Sequence, residues 1–348
     1  MDQQVNQYLK QLLTTFDSYT PSLEDVKLIQ RDKTQFIVNK LALKKFRKRK
    51  LTAETRQAIA KKVGLSIKEN RPLHFVIPFG GYKHFWNPSH PEPDWAELFN
   101  LTYLTEYVSP VLSVHKPGVI IEYASEDLIL NRMNNYPKET LEVYSNVFRQ
   151  LIDWYNNQTP DNLTFKYFRV SERCDASKIL SGVEKLLPKR KQAFDKLSKK
   201  EQEQEIHRSM RSVFWNGAQD LTKLTDLDKE KRIIESRFVE LAFYETEGSK
   251  EFMGTYYWED NRICICFSFG TTHDNDPFED LTLGSTYGSI VDHWIGRGIL
   301  KKRGNRLIPD IVSKNQYTDI KDDLKTIVVK EFPPHKNYSQ IEVLEENK

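Results

Sequence analysis

Leu73-His74-Phe75-Val76-Ile77-Pro78-Phe79-Gly80-Gly81-Tyr82-Lys83-His84 opens with a short apolar run and ends in a turn that carries a lysine. An uninterrupted apolar run of this length is the pattern of a strand buried on both faces, as in a parallel sheet. Downstream, a loop rich in Pro, Asn and His leads to a helix predicted from about Pro93, with Leu98, Leu101, Leu104, Val108 and Val111 or Leu112 on one face. Pro117-Gly118 turns the chain into a second apolar strand, Val119-Ile120-Ile121-Glu122-Tyr123. Helices over 126–134 and 138–157 precede a third strand, Phe165-Lys166-Tyr167-Phe168. Strands that alternate with helices predict βαβ units, and hence an α/β, Rossmann-like fold with a largely parallel sheet flanked by helices.

Upstream, residues 1–70 read as a helical segment. Leu9, Leu12, Leu13 and Phe16 recur at helical spacing, Phe36, Ile37, Leu41 and Leu43 open a second helix, and Thr52 caps a third through Ile59 and Val63. The run Lys44-Lys45-Phe46-Arg47-Lys48-Arg49-Lys50 can bind phosphates or RNA, and it equally suits a solvated helix end. Beyond the third strand, 176–215 is charged helix. A helix from 230 feeds a strand at Val239-Glu240-Leu241-Ala242-Phe243-Tyr244, and 252–258 and 263–269 read as a C-terminal β-hairpin across Glu259-Asp260-Asn261. Loop, helix and loop are expected over 282–300, and a polar tail over the last eighteen residues. The predicted organisation is a helical segment at 1–70, a Rossmann-like catalytic domain at 71–330 and a tail at 331–348.

With 348 residues, 39% of them hydrophobic and 12% aromatic, the chain can bury a core without disulfides or structural metals. Fifty-two Lys and Arg against 49 Asp and Glu leave a net charge of +3, too slight to mark a nucleic-acid binder. Three cysteines, Cys174, Cys264 and Cys266, lack framework spacing and fit a reducing cytoplasm. The N-terminus lacks the apolar region of a signal peptide, and no run of eighteen apolar residues occurs. A cytoplasmic protein without a membrane span is the expectation.

Ligands in open α/β sheets bind at the carboxyl ends of the strands. At that edge Gly80 and Gly81 let backbone amides approach an anion, and Lys83 offers a phosphate partner or a nucleophilic amine, with Tyr82 and His84 beside it. Asp94 and Glu97 are three apart in the first turn of the next helix. They are general acid/base candidates, and the same positions would cap the helix. Ser125, Glu126 and Asp127 follow the second strand to the same edge. Ser285, Thr286 and Arg297 form a candidate anion cradle and clamp. His84 and His90 lack a third ligand at zinc spacing, so no metal centre is expected there, while Asp274 and Asp276 could hold a metal on a nucleotide sugar. Cys264 and Cys266 read as core.

Pro78 followed by Lys83, then Pro93-Asp94-x-Ala96-Glu97, a long helix, Pro117-Gly118, a strand, the acidic Glu126-Asp127 and a helical Tyr144 together resemble the pyoverdine/dityrosine biosynthesis family, the isocyanide (isonitrile) synthases. The resemblance covers roughly residues 71–170. The Gly80-Gly81-Tyr82 loop departs from the family's usual sequence, and 285–297 has no matched counterpart. The resemblance implies a Rossmann-like fold and conversion of an amino acid's amine to an isonitrile, with the carbon drawn from a pentulose phosphate and no redox cofactor. It places Lys83 near the sugar carbonyl or phosphate, and Asp94 and Glu97 as pocket or proton-shuttle groups. A small-molecule amine and a sugar phosphate are then the expected partners, with no membrane and no nucleic acid; a homo-oligomer is compatible. A metal-dependent nucleotide-sugar glycosyltransferase and a non-catalytic RNA- or phosphate-binding protein are the competing expectations.

Overall fold

The computed structural model describes all residues except 15, 17–18, 49, 81–82, 84–90, 134–136, 211–224, 260, 269–279, 331–333 and 347–348. The chain begins with helices α1 (Asp2–Thr14), α2 (Leu23–Arg31), α3 (Lys33–Leu41) and α4 (Ala53–Lys68). Then β1 (Leu73–Phe79), α5 (Trp95–Leu112), β2 (Val119–Ser125), α6 (Leu130–Met133), α7 (Lys138–Asn156) and β3 (Leu163–Arg169) follow the predicted alternation. Four helices, α8 (Ala176–Asp195), α9 (Lys199–Met210), α10 (Asp226–Glu245) and α11 (Glu247–Tyr256), lead to β4 (Arg262–Ser268) and β5 (Leu281–Gly284). The chain closes with β6 (Arg297–Arg303), β7 (Arg306–Val312), α12 (Lys314–Ile320), β8 (Leu324–Val328) and β9 (Gln340–Glu345).

The central sheet has the order β3-β2-β1-β4-β5, and every pairing in it is parallel. This is the doubly wound arrangement predicted from the apolar strands, with its topological switch between β1 and β4. β1 and β2 are buried along nearly their whole length, as the sequence predicts for interior parallel strands. Gly118, at φ +81°, begins β2 so close to Asn162 that an added Cβ would lie 1.8 Å from its carbonyl oxygen, which explains the Pro-Gly turn.

Helix α5 differs from its predicted one-faced character. All of its residues but Glu106, Ser109 and Leu112 are buried. The helix lies between two sheets: Tyr123 of β2 donates to Asn100 on one side, while Trp95 donates to the Gln340 carbonyl of β9 on the other. A helix apolar all round is one buried all round, and its polar side chains find internal partners, Asn100 donating to Thr286 and Thr105 bonding Tyr155.

The second sheet, in the order β7-β6-β9-β8, corrects two expectations, and two more fail elsewhere. The tail at 331–348 is not a tail: β9 pairs with β6 on one side and β8 on the other, and Ile341 and Val343 are buried. Strict alternation in Gln340-Ile341-Glu342-Val343 is the strand signal that overall polarity hid. The hairpin lies at β6–β7, across Gly304-Asn305, and not at 252–269. There, Phe252, Met253 and Tyr257 pack as helical neighbours in and just after α11, which Thr246 caps, while β4 joins the parallel sheet alone. The predicted strand at 239–244 also stays helical within α10, because Val239, Ala242 and Phe243 are buried at helical spacing. The helix expected within 282–300 shrinks to one 3₁₀ turn, Thr286–Gly288.

The two sheets and the N-terminal helices share one hydrophobic cluster that runs from Val5 through Phe75 and Tyr123 to Val343. The basic run is built into this framework. Phe46 is buried, Arg47 bridges to Leu283 of β5, and Lys45 pairs with Glu106 at 2.9 Å. No helix of the described residues is long and apolar enough to cross a membrane.

Candidate functional site

Beyond β1 the chain delivers Lys83 to the carboxyl edge of the sheet, where its side chain is only 2% exposed. Its ammonium lies 3.2 Å from Asp94 Oδ1 and 3.3 Å from Glu97 Oε2, and it donates to the Gly296 carbonyl. Two of the lysine's three donors are hydrogen-bonded, to Asp94 and Gly296, and Glu97 completes the ring of acceptors as an ion-pair contact. Asp94 and Glu97 also form the capping box of α5: Asp94 accepts from Ala96 N at 2.8 Å, and Glu97 accepts from Asp94 N at 2.8 Å. The capping reading of the sequence therefore holds, and the same helix N-terminus is where the lysine is received. Removing one partner of such a buried cluster leaves a charge uncompensated, which costs about 3–5 kcal/mol.

Glu97 is fully buried. Burial pushes its carboxyl up to about 8, Lys83 pulls against that rise, and the nearby Asp94 carboxylate adds to it. Tyr144 of α7 donates to Glu97 Oε1 at 3.0 Å, and burial first of all drives its phenol well above the ordinary tyrosine range. Tyr338, wholly buried, is raised by burial and then by Glu97 and Asp94, and its hydroxyl has no partner among the described residues.

Lys83, Glu92, Asp94 and Trp95 line one side of a cavity of about 300 Å³ whose other walls come from the second sheet and the segment before β9, including Arg297, Lys336 and Glu342. Arg297, more than two hundred residues from Lys83, thus reaches the same site. It donates to Glu342 Oε2 at 2.7 Å, and its guanidinium lies 4.8 Å from the centre of the Tyr317 ring. Its glycine neighbours have structural causes. An added Cβ at Gly298 would lie 2.3 Å from Ala96 N, and Gly298 N donates to Asp94, so β6 can touch the start of α5 only without a side chain there.

The remaining candidates are dispersed. Gly80 accepts from Ser125 Oγ at 3.1 Å. Gly81, Tyr82, His84, His90, Asp274 and Asp276 lie outside the described residues. Asp127 accepts from the Ser171 amide and hydroxyl at 2.9 and 2.5 Å, tying the β2 and β3 ends together. Ser285 donates to the Ser289 carbonyl and Thr286 accepts from Asn100, so both hydroxyls are engaged within the protein. Among the described residues no group of His, Cys, Asp and Glu could hold a metal.

Sequence reasoning missed Tyr338, Lys336 and His293. His293 is 1% exposed, and burial and then Lys83 hold its imidazole well below the ordinary histidine range, so it is neutral. The one local signal was a histidine in the apolar context Ile290-Val291-Asp292-His293-Trp294-Ile295.

Fold and site together define a doubly wound α/β protein with a second sheet, and a lysine buried against the side-chain carboxyls of an aspartate and a glutamate beyond the end of its first strand. Among solved structures, the crystal structure of the PvcA protein from Pseudomonas aeruginosa shares this architecture, with a TM-score of 0.59 and 13% identity, over 89% of this chain and 99% of that one. At that identity the likeness is one of fold. A tryptophanyl-tRNA synthetase homolog from Entamoeba histolytica has a TM-score of 0.28 and 12% identity, over 75% of this chain and 54% of its own. Cyclo(L-leucyl-L-phenylalanyl) synthase has a TM-score of 0.26 and 11% identity, over 69% of this chain and 96% of its own. These two carry no argument. No protein-family model and no curated protein matches the sequence.

Proposed function

We propose that the chain is an isonitrile-synthase-like transferase that converts the amine of an amino acid, or a related amine, to an isonitrile with a carbon from a pentulose phosphate. The observation that carries this reading is the Lys83 ammonium, held on Asp94, Glu97 and the Gly296 carbonyl at the wall of a cavity that Arg297 and Lys336 also line. The fold shared with PvcA agrees with the resemblance of residues 71–170 to the isonitrile synthases.

Joining an amine to a sugar carbonyl takes protons from nitrogen and delivers them to oxygen, and it favours groups that titrate near neutral pH. In this reading Lys83 stands beside the sugar carbonyl or phosphate, and Asp94 holds the amine nitrogen. Glu97 does not line the cavity. It stands behind Lys83, 3.3 Å from the ammonium, where its carboxyl, raised by burial, sets the charge beside that group. Arg297 and Lys336 supply the charge for a phosphate, Arg297 with its fork and Lys336 as a point charge. The resemblance implies no redox cofactor, and this scheme uses none.

The test is to incubate the protein with amino acids and ribulose 5-phosphate and look for an isonitrile-bearing product by mass spectrometry. Product from the natural chain and none from Lys83→Ala, with both folded by circular dichroism, is the expected result. No product with any amino acid, together with no binding of the sugar phosphate, removes the proposal.

A further inference from the structure

β1 and β4 are paired only at His74–Val76 with Arg262–Cys264. From Ile77 onward β1 pairs with β2 alone, and from Ile265 onward β4 pairs with β5, so the sheet parts between them toward its carboxyl edge. His293 sits over that parting. Its ring is nearly parallel to Phe79 at the end of β1, 5.9 Å between centres, and edge-on to Phe267 near the end of β4, also 5.9 Å. Trp294 and Tyr123 enclose it at 4.8 and 6.0 Å.

The ring is firmly placed. Ser289, four residues earlier, accepts the Ile311 amide of β7 at 2.9 Å. The amides of Ile295 and Gly296 close a turn onto the Asp292 carbonyl. Gly296, three residues later, gives Lys83 its carbonyl. Yet neither ring nitrogen has a hydrogen-bond partner among the described residues. A buried polar group left without a partner is costly and uncommon, and a catalytic role is one of the few physical reasons for it to persist. Neutral imidazole offers one donor and one acceptor, the pair needed to move a proton between two atoms of a bound molecule.

We propose that His293, which stands outside the wall of the Lys83 cavity, is a further catalytic residue that relays protons between nitrogen and oxygen of a ligand that reaches from that cavity to where β1 and β4 part. The inference rests on the reading of the site as one where an amine meets a carbonyl. As nitrogen bonds to the carbonyl carbon, the imidazole takes the amine's two protons in turn and passes each to the carbonyl oxygen. That oxygen leaves as water as the carbon–nitrogen double bond forms, and the imidazole ends neutral as it began.

The experiment uses His293→Phe and His293→Leu in the full chain, with thermal unfolding at pH 7 and steady-state turnover of ribulose 5-phosphate with the amino acid that the natural chain accepts. Relief of the unpartnered nitrogens should raise Tm by roughly 1–4 °C in at least one variant. Loss of the relay should lower kcat by about 10²–10⁴-fold, with KM for the sugar phosphate changed by less than about tenfold. Turnover within about twofold of the natural chain, or a lower Tm in both variants, overturns the proposal. If the natural chain makes no isonitrile, the proposed reaction fails by itself. Tm then decides the role of His293: a rise supports nitrogens reserved for a ligand, and a fall in both variants shows a structural imidazole.

Discussion

Glu97 and Glu126 are a natural pair for comparison. Each follows a parallel strand at the carboxyl edge of the sheet, and burial pushes each carboxyl up to about 8. Their surroundings then diverge. Glu97 has an ammonium 3.3 Å away and a tyrosine hydroxyl on its other oxygen. Glu126 accepts the Leu128 amide at 2.8 Å, while its buried Oε2 has no partner among the described residues and Asp127 beside it adds to the rise. Burial alone therefore does not define the site. A cation and a cavity beside one carboxyl separate it from another that burial also raises.

The comparison can be broken most forcefully at Lys83. Lys83→Met should leave Asp94 and Glu97 without their cation, cost about 3–5 kcal/mol of stability and abolish turnover, measured by urea unfolding and product formation. Lys83→Met should also let Glu97 keep its proton to higher pH, because Lys83 is the group that pulls that carboxyl down, and leave Glu126 unmoved. Carboxyl stretching bands followed against pH by infrared difference spectroscopy would show one titration shift and the other stay; equal shifts would erase the distinction.

A more gradual effect, smaller over any single pH unit, follows from the raised carboxyls themselves. Each binds a proton in the folded chain at pH values where the unfolded chain has lost it, so its contribution is complete below about 4.5 and falls away as pH rises through about 8. Stability should decline across that window by roughly 1.4 kcal/mol per pH unit for each carboxyl. Glu97→Gln and Glu126→Gln should each remove one such slope in denaturant titrations from pH 5 to pH 9. Only Glu97→Gln should also impair turnover. Smallest is Asp127→Ala, which removes two hydrogen bonds from Ser171. It should cost about 1–2 kcal/mol and leave kcat within about threefold of the natural chain.

The sheet core from β1 to β3 was legible because interior parallel strands are apolar runs and the helices between them are long. Thr52 and Asp94 were legible as caps for the same local reason: a cap is read from its own few residues. The second sheet was not. Its strands are mixed with charge, as in Lys301-Lys302-Arg303 and Glu342-Val343-Leu344-Glu345, so the apolar signal is thin, and β9 finds its partner β6 some forty residues away. Phe252 and Tyr257 misled in the other direction, since aromatic residues suit a strand until their packing in and just after α11 is seen.

By itself the sequence determined the α/β class, the parallel strands and the nearness of Lys83, Asp94 and Glu97, which lie within fourteen residues of one another. Only the tertiary structure decided what surrounds that triad. Arg297, Lys336, Tyr338 and His293 come from about two hundred residues or more along the chain, and Arg297 and Lys336 line the cavity where the second sheet packs on α5. Periodicity records which face of an element is buried; it does not record which distant element will cover that face. The proton affinity of Glu97 was beyond the sequence for the same reason, because it depends on the water that those late strands exclude.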